Sequence, residues 1–68
     1  DVVTLGGFAR ELAGDDNASY ERWRGTLKKA CQRAVKKGEL WWCRRDGDTW
    51  LLYAPYARER WGRARKDR

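Results

Sequence analysis

Seven cations and no anion fall within residues 22–37: Arg22, Arg24, Lys28, Lys29, Arg33, Lys36 and Lys37. Fixed positive charge at this density is suited to holding a polyanion rather than to making or breaking bonds. Between the cations, Trp23, Leu27, Ala30, Cys31, Ala34 and Val35 recur at the spacing of a buried helix face. The stretch therefore reads as an amphipathic helix with an apolar stripe and a cationic back. Solvated helices normally interleave both signs of charge. Sixteen positions without an acid point instead to contact with nucleic-acid phosphates. At about 100° per residue, Arg22, Gly25, Lys29, Gln32, Arg33 and Lys36 fall opposite the stripe. Arg22, Thr26, Lys29 and Arg33, three or four residues apart, form a line along one side.

Other chemistries have little to build on. The chain has no His, no Ser beside a base, no Gly-rich phosphate loop and no close carboxylate pair in a plausible pocket. The expectation is a non-enzymatic chain without a cofactor. Cys31 and Cys43 are too few and too far apart for zinc. Asp15 and Asp16 suit the positive end of a helix better than a metal. Asp46 and Asp48 flank a glycine, which is ordinary turn chemistry. One cysteine lies on the helical stripe and the other in a strand, so both are expected as buried free thiols rather than a disulfide. That fits a reducing, cytoplasmic setting, associated with a nucleoid or nucleus.

Charge is divided along the chain. Residues 1–21 hold one basic residue against five acidic ones; residues 22–68 hold fifteen against five, giving +6 in all. This asymmetry again favours a face turned to a polyanion. A membrane partner is not expected. No apolar run is long enough to span a bilayer, no signal peptide is visible, and Ala30, Cys31 and Ala34 make a stripe too small for a membrane-surface helix. At 68 residues the chain is one small domain with a modest core. It begins with Asp1 and not Met, which is read as excision from a longer polypeptide. A protein partner in that parent chain, or a dimer, is a further possibility.

The cationic helix must be positioned by its neighbours. Val2 and Val3 suit a short strand. Thr4 suits an N-cap before Leu5, Phe8, Ala9 and Leu12, and Gly14 ends that helix. Gly6 and Gly7 weaken it, and mark either close approach of another backbone or a later start. Residues 15–19 read as a polar connector. The cationic helix then runs from about Ser19 to Lys37, with Gly38 as its terminator, and Gly25 either breaks it or admits a sugar-phosphate chain. Residues 40–44 and 49–53 read as strands joined by a type I′ turn centred on Asp46-Gly47. That register puts Leu40, Trp42, Leu51 and Tyr53 on one face, and Trp41, Cys43, Trp50 and Leu52 on the other. Both faces are apolar, so one needs cover from residues 1–3, from the C-terminal segment or from a partner. Pro55 opens a last helix, whose basic end from Arg63 is expected to fray. The expected core is Leu5, Phe8, Leu12, Trp23, Leu27, Ala30, Ala34 and Leu40, with Trp61 also buried.

This order of elements resembles a winged helix-turn-helix domain over residues 4–53. The resemblance is carried by Phe8-Ala9-Arg10-Glu11-Leu12-Ala13-Gly14, by the helix from Thr26 that exits through Lys36-Lys37-Gly38-Glu39-Leu40, and by the Asp46-Gly47 wing tip. It departs from the pattern in lacking a helix before the motif, unless the last helix or the parent chain supplies one, and in its longer, acidic connector. The implied fold is α+β: a small winged-helix-like domain over residues 1–55, of two or three helices with a hairpin wing, followed by a C-terminal basic helix or tail over residues 56–68. The implied function is binding of double-stranded DNA, in the regulation of transcription or replication. Arg22, Thr26, Lys29 and Arg33 would then meet the major groove, with Arg22 or Arg24 bidentate to guanine. Gln32 shares that exposed face. Lys28, Lys36 and Lys37 would contact phosphates, and Arg44 and Arg45 on the wing would touch backbone or minor groove. Two alternatives stand beside it. One is a protein-interaction module that uses the aromatic hairpin face. The other is binding of RNA or single-stranded DNA, with bases stacked on Trp41 or Trp50.

Overall fold

Thr4 is the point where extended chain becomes helix. Its backbone is still extended (φ −76°, ψ 155°), and its hydroxyl accepts a hydrogen bond from the Gly7 amide at 3.0 Å. This satisfies one of the donors left open at a helix start. A Cβ at Gly7 would lie 2.9 Å from that hydroxyl. The close approach at this glycine is therefore made by the helix's own cap and not by another backbone.

The computed structural model describes the backbone of residues 1–66 and the side chains of residues 1–62; the expected fraying of the tail from Arg63 lies outside the described side chains. The elements follow in the order β1 (Val2–Thr4), α1 (Leu5–Ala13), α2 (Asn17–Lys37), β2 (Cys43–Asp46), β3 (Thr49–Tyr53) and α3 (Ala54–Lys66). They form an α+β domain of three helices and a three-stranded antiparallel sheet, an arrangement consistent with a winged helix.

Helix α2 starts two residues before Ser19, because Asp16 takes the cap. The Asp16 carboxylate accepts from the Ala18 amide at 3.2 Å and from the Ser19 hydroxyl at 2.6 Å. The Ser19 hydrogen bond, with the Ala18 and Ser19 amides and nearby Arg22, holds this carboxyl below its ordinary value. The connector between α1 and α2 shrinks to Gly14, Asp15 and Asp16, so the long linker read from the sequence is not present. Helix α2 passes Gly25 without a break. It ends at Gly38, where φ is 80°. There the Glu39 amide bonds the Ala34 carbonyl at 2.8 Å and the Gly38 amide bonds the Val35 carbonyl at 3.1 Å, the paired closure of a Schellman end.

The hairpin differs from the expected one in its turn. Asp46 pairs with Thr49, Arg45 with Trp50, Arg44 with Leu51 and Cys43 with Leu52. The central turn residues are therefore Gly47 and Asp48, not Asp46 and Gly47. Gly47 has φ 63°, and no non-glycine residue has positive φ. A glycine first and an ordinary residue second is the type II′ arrangement, which avoids placing Asp48 in the left-handed region. The register moves by two residues, so Cys43, Trp50 and Leu52 stay on one face as expected.

Residues 40–42 are not strand but a turn between α2 and β2. Freed from strand alternation, Trp42 swings inward to 1% exposure, while Leu40 is left 58% exposed. The assignment of Leu40 to the core is thus corrected, as is the placing of Trp42 on a strand face with Leu51. The Trp42 indole N–H donates to Glu39 Oε1 at 3.2 Å, which satisfies the one polar atom this large side chain buries.

The core gathers Phe8, Leu12, Leu27, Cys31, Ala34, Trp42, Cys43 and Leu52, and α3 adds Ala57 and Trp61. Trp23 and Ala30, expected in the core, are only partly buried against it. Trp61 meets Phe8 edge-on with ring centroids 6.3 Å apart, and Trp42 at 5.7 Å. Arg58 adds a two-pronged contact from α3 to Glu11 of α1, at 2.9 and 3.1 Å. Residues 2–4 do not cover a hairpin face. They pair along the free edge of β3 and widen the sheet. Val2 and Tyr53, opposite one another, remain exposed on its outer face. Among the described residues, no helix is long and apolar enough to cross a membrane.

Candidate nucleic-acid interface

The buried stripe of α2, built on Leu27, Cys31 and Ala34, fixes where its cations point. All eleven residues expected at the interface are exposed: Arg22, Arg24, Thr26, Lys28, Lys29, Gln32, Arg33, Lys36, Lys37, Arg44 and Arg45. They do not form one surface. Arg24, Lys28 and Gln32 line a cleft shared with Arg45, Thr49 and Trp50 of the hairpin. Thr26, Lys29, Arg33 and Lys37 line a channel on the other flank, shared with Arg60 and Trp61 of α3. Arg22 and Thr26 continue that flank toward the helix start, beside Trp23. Lys36 falls on the crest between the flanks, about 180° from Leu27 at 100° per residue.

Hydrogen bonds and ion pairs sort the candidates further. Arg24 bonds Glu21 at 3.3 Å and lies 5.7 Å from the Tyr20 ring. It is turned toward the first turns of α2, which leaves Arg22 as the arginine on the groove-facing line. No ion pair among the described residues engages Arg22, Lys28, Lys29, Arg33, Lys36 or Lys37. Their charges are solvated, so the field they project is long-ranged and sensitive to salt. On the hairpin, Arg45 donates from Nε to the Gly47 carbonyl at 3.0 Å and lies 5.8 Å from the Trp50 ring. Arg44 shares the outer face with Leu51. Only Arg45 therefore adjoins α2, and the two wing arginines serve different sides of the sheet.

Arg60 is a candidate residue that sequence reasoning did not place at the interface. It donates from Nη1 to the Tyr56 hydroxyl at 3.1 Å, and its guanidinium lies 4.5 Å from the Trp61 ring and 5.6 Å from the Trp42 ring. These contacts set a cation on the α3 wall of the channel, facing Lys29, Arg33 and Lys37. The one signal for it was the four-residue spacing from Tyr56. Glu39 also lines the channel, but its carboxylate is engaged by the Trp42 indole.

The two cysteines are both free and buried, with the Cys43 sulfur 3.9 Å from the Cys31 carbonyl oxygen. Burial, with Cys43 beside it, pushes the Cys31 thiol up to about 12. Burial likewise raises Cys43. Neither thiol is poised as a nucleophile. Among the described residues, no three His, Cys, Asp or Glu side chains gather to hold a metal ion. Comparisons with family models, with curated proteins and with solved structures found no match.

Proposed function

We propose that the chain is a DNA-binding module, of winged-helix type, that grips double-stranded DNA through α2. The observation that carries this reading is the outer side of α2, where Arg22, Lys29, Arg33 and Lys36 stand exposed and form no ion pair among the described residues. A major groove about 12 Å wide admits an α-helix, and the hairpin lies beside α2 where it would meet the flanking backbone. In this reading Arg22 and Lys29 approach base edges, and Lys28, Lys36 and Arg45 hold phosphates. The connector of three residues between α1 and α2 also brings the pair closer to the short turn of a helix-turn-helix.

Fluorescence anisotropy with a labelled duplex across a range of salt concentrations tests it. Each phosphate contact contributes about −0.9 to the slope of log affinity against log salt. Lys36→Ala is expected to weaken binding to all duplexes alike and to flatten the slope by about one unit. A protein-docking surface would behave differently. Its affinity would be indifferent to salt and to Lys36, and no binding of duplex at low salt would end the DNA reading.

A further inference from the structure

We propose that the channel between α2 and α3, with Trp41 linked to it through Tyr56, holds an unpaired DNA strand running out of the duplex that α2 grips. The proposal rests on the DNA-binding reading above and adds a substrate class to it: a junction of duplex and single strand.

Three observations meet at this place. First, Arg33 and Lys37 on α2 face Arg60 on α3 across one channel, so cations line both walls, which suits a single phosphodiester backbone. Glu39 is the acid in the channel, and its Oε1 accepts the Trp42 indole hydrogen bond. Second, Arg60 joins that channel to an aromatic cluster. It bonds the Tyr56 hydroxyl at 3.1 Å, and Tyr56 packs against both Trp42 and Trp41, with ring centroids 5.0 and 4.8 Å apart. Third, Trp41 is 64% exposed. An exposed tryptophan is costly to leave in water, and the Trp41–Tyr56 contact is edge-on, at 75° between ring planes. Trp41 is thus braced from one side and open to solvent over most of its surface. The immediately following Trp42 anchors the turn that carries it. An exposed aromatic joined through Tyr56 to a cationic channel has the chemistry of a base-stacking platform.

The charge favours a nucleic acid over a protein segment as occupant, because Arg33, Lys37 and Arg60 outnumber Glu39, the acid in the channel. The position favours a strand that leaves the duplex at the C-terminal end of α2, where Lys37 and Trp41 lie. Stacking on an aromatic accepts any base, so the channel would read the unpaired state and not the sequence.

The test uses three DNA probes at one salt concentration. One is a blunt duplex, one is the same duplex carrying a thymine extension on one strand, placed at the 3′ or the 5′ end, and one is the single strand alone. The wild-type chain is expected to bind one tailed duplex about tenfold more tightly than the blunt one. Trp41→Ala should remove that advantage and leave blunt-duplex affinity unchanged, whereas Trp41→Phe should retain most of it. Arg60→Gln should reduce the advantage without abolishing blunt-duplex binding. Equal wild-type affinity for blunt and tailed duplexes overturns the junction proposal but leaves the duplex reading standing. So does a Trp41→Ala variant that keeps the full advantage, or one that loses blunt and tailed binding alike. Failure of every probe to bind would overturn both.

Discussion

Trp42→Ala is expected to cost about 3–5 kcal/mol, the range for deleting a large aromatic from a packed core. A chain of this length has only on the order of 3–10 kcal/mol to lose, so the variant should lose a large fraction of its stability. The size of the effect follows from position. Trp42 is 1% exposed and packs against Tyr56 and Trp61 of α3, while its backbone carbonyl accepts from the Tyr53 amide at 2.7 Å. It joins the end of α2, the start of β2 and the Tyr56–Trp61 stretch of α3. Trp42→Phe should fall between, since the ring volume is mostly kept but Glu39 loses its donor. The control is Leu40→Ala. Leu40 is 58% exposed, so its truncation should change stability by no more than about 0.5 kcal/mol. Urea unfolding followed by circular dichroism measures all three. If Leu40→Ala proved the more damaging change, residues 40–42 would have to be strand after all.

The second large effect is on discrimination between DNA sequences, within the proposed function. Arg22 and Lys29 lie on the outer side of α2 and form no ion pair among the described residues. A bidentate contact to a base is worth about 1–3 kcal/mol of discrimination. Arg22→Ala or Lys29→Ala should therefore reduce the preference for a selected duplex over a scrambled one by roughly 5- to 150-fold. Lys36→Ala and Lys37→Ala should lower affinity and leave that ratio intact. Arg24→Ala should also leave it intact, because Arg24 is directed toward Glu21 and Tyr20. The cognate duplex is first obtained by selection from a random pool, and the ratio is then measured by competition at one fixed salt concentration. A wild-type chain with no preference among duplexes would mean that α2 is an electrostatic clamp only, and base readout would have to come from elsewhere.

Where local chemistry decides structure, the sequence was readable. Thr4 and Gly14 bound α1, and Gly38 ends α2, because caps and terminators act over three or four residues. The hydrophobic period of α2 placed Leu27, Cys31 and Ala34 inward and all the candidate cations outward. What could not be read were contests between neighbours. Asp16 and Ser19 both suit a cap, and Ser19 ends as a donor to Asp16. Asp46-Gly47 and Gly47-Asp48 both suit a two-residue turn, and the choice moves every cross-strand pair. Leu40, Trp41 and Trp42 were read as strand because their composition suits one. Their fate was set by where Trp42 found a pocket, against residues of α3 far away in the chain. The α2–α3 channel was hidden for the same reason. Nothing in the spacing of Lys29, Arg33 and Lys37 tells which element will face them.

The buried thiols give the chain a built-in gauge of its own opening. Cys31 and Cys43 are closed to solvent, and Cys31 is held protonated up to about 12. A maleimide added to the native protein therefore finds no reactive sulfur until the core parts, and the rate of adduct formation counts molecules caught open. The same burial gives alkali a foothold. Below the ordinary thiol value of 9.0 both states keep their protons, and the fold bears no penalty. As pH rises past it, the unfolded chain releases two protons that the folded one must retain, so stability falls and labelling quickens.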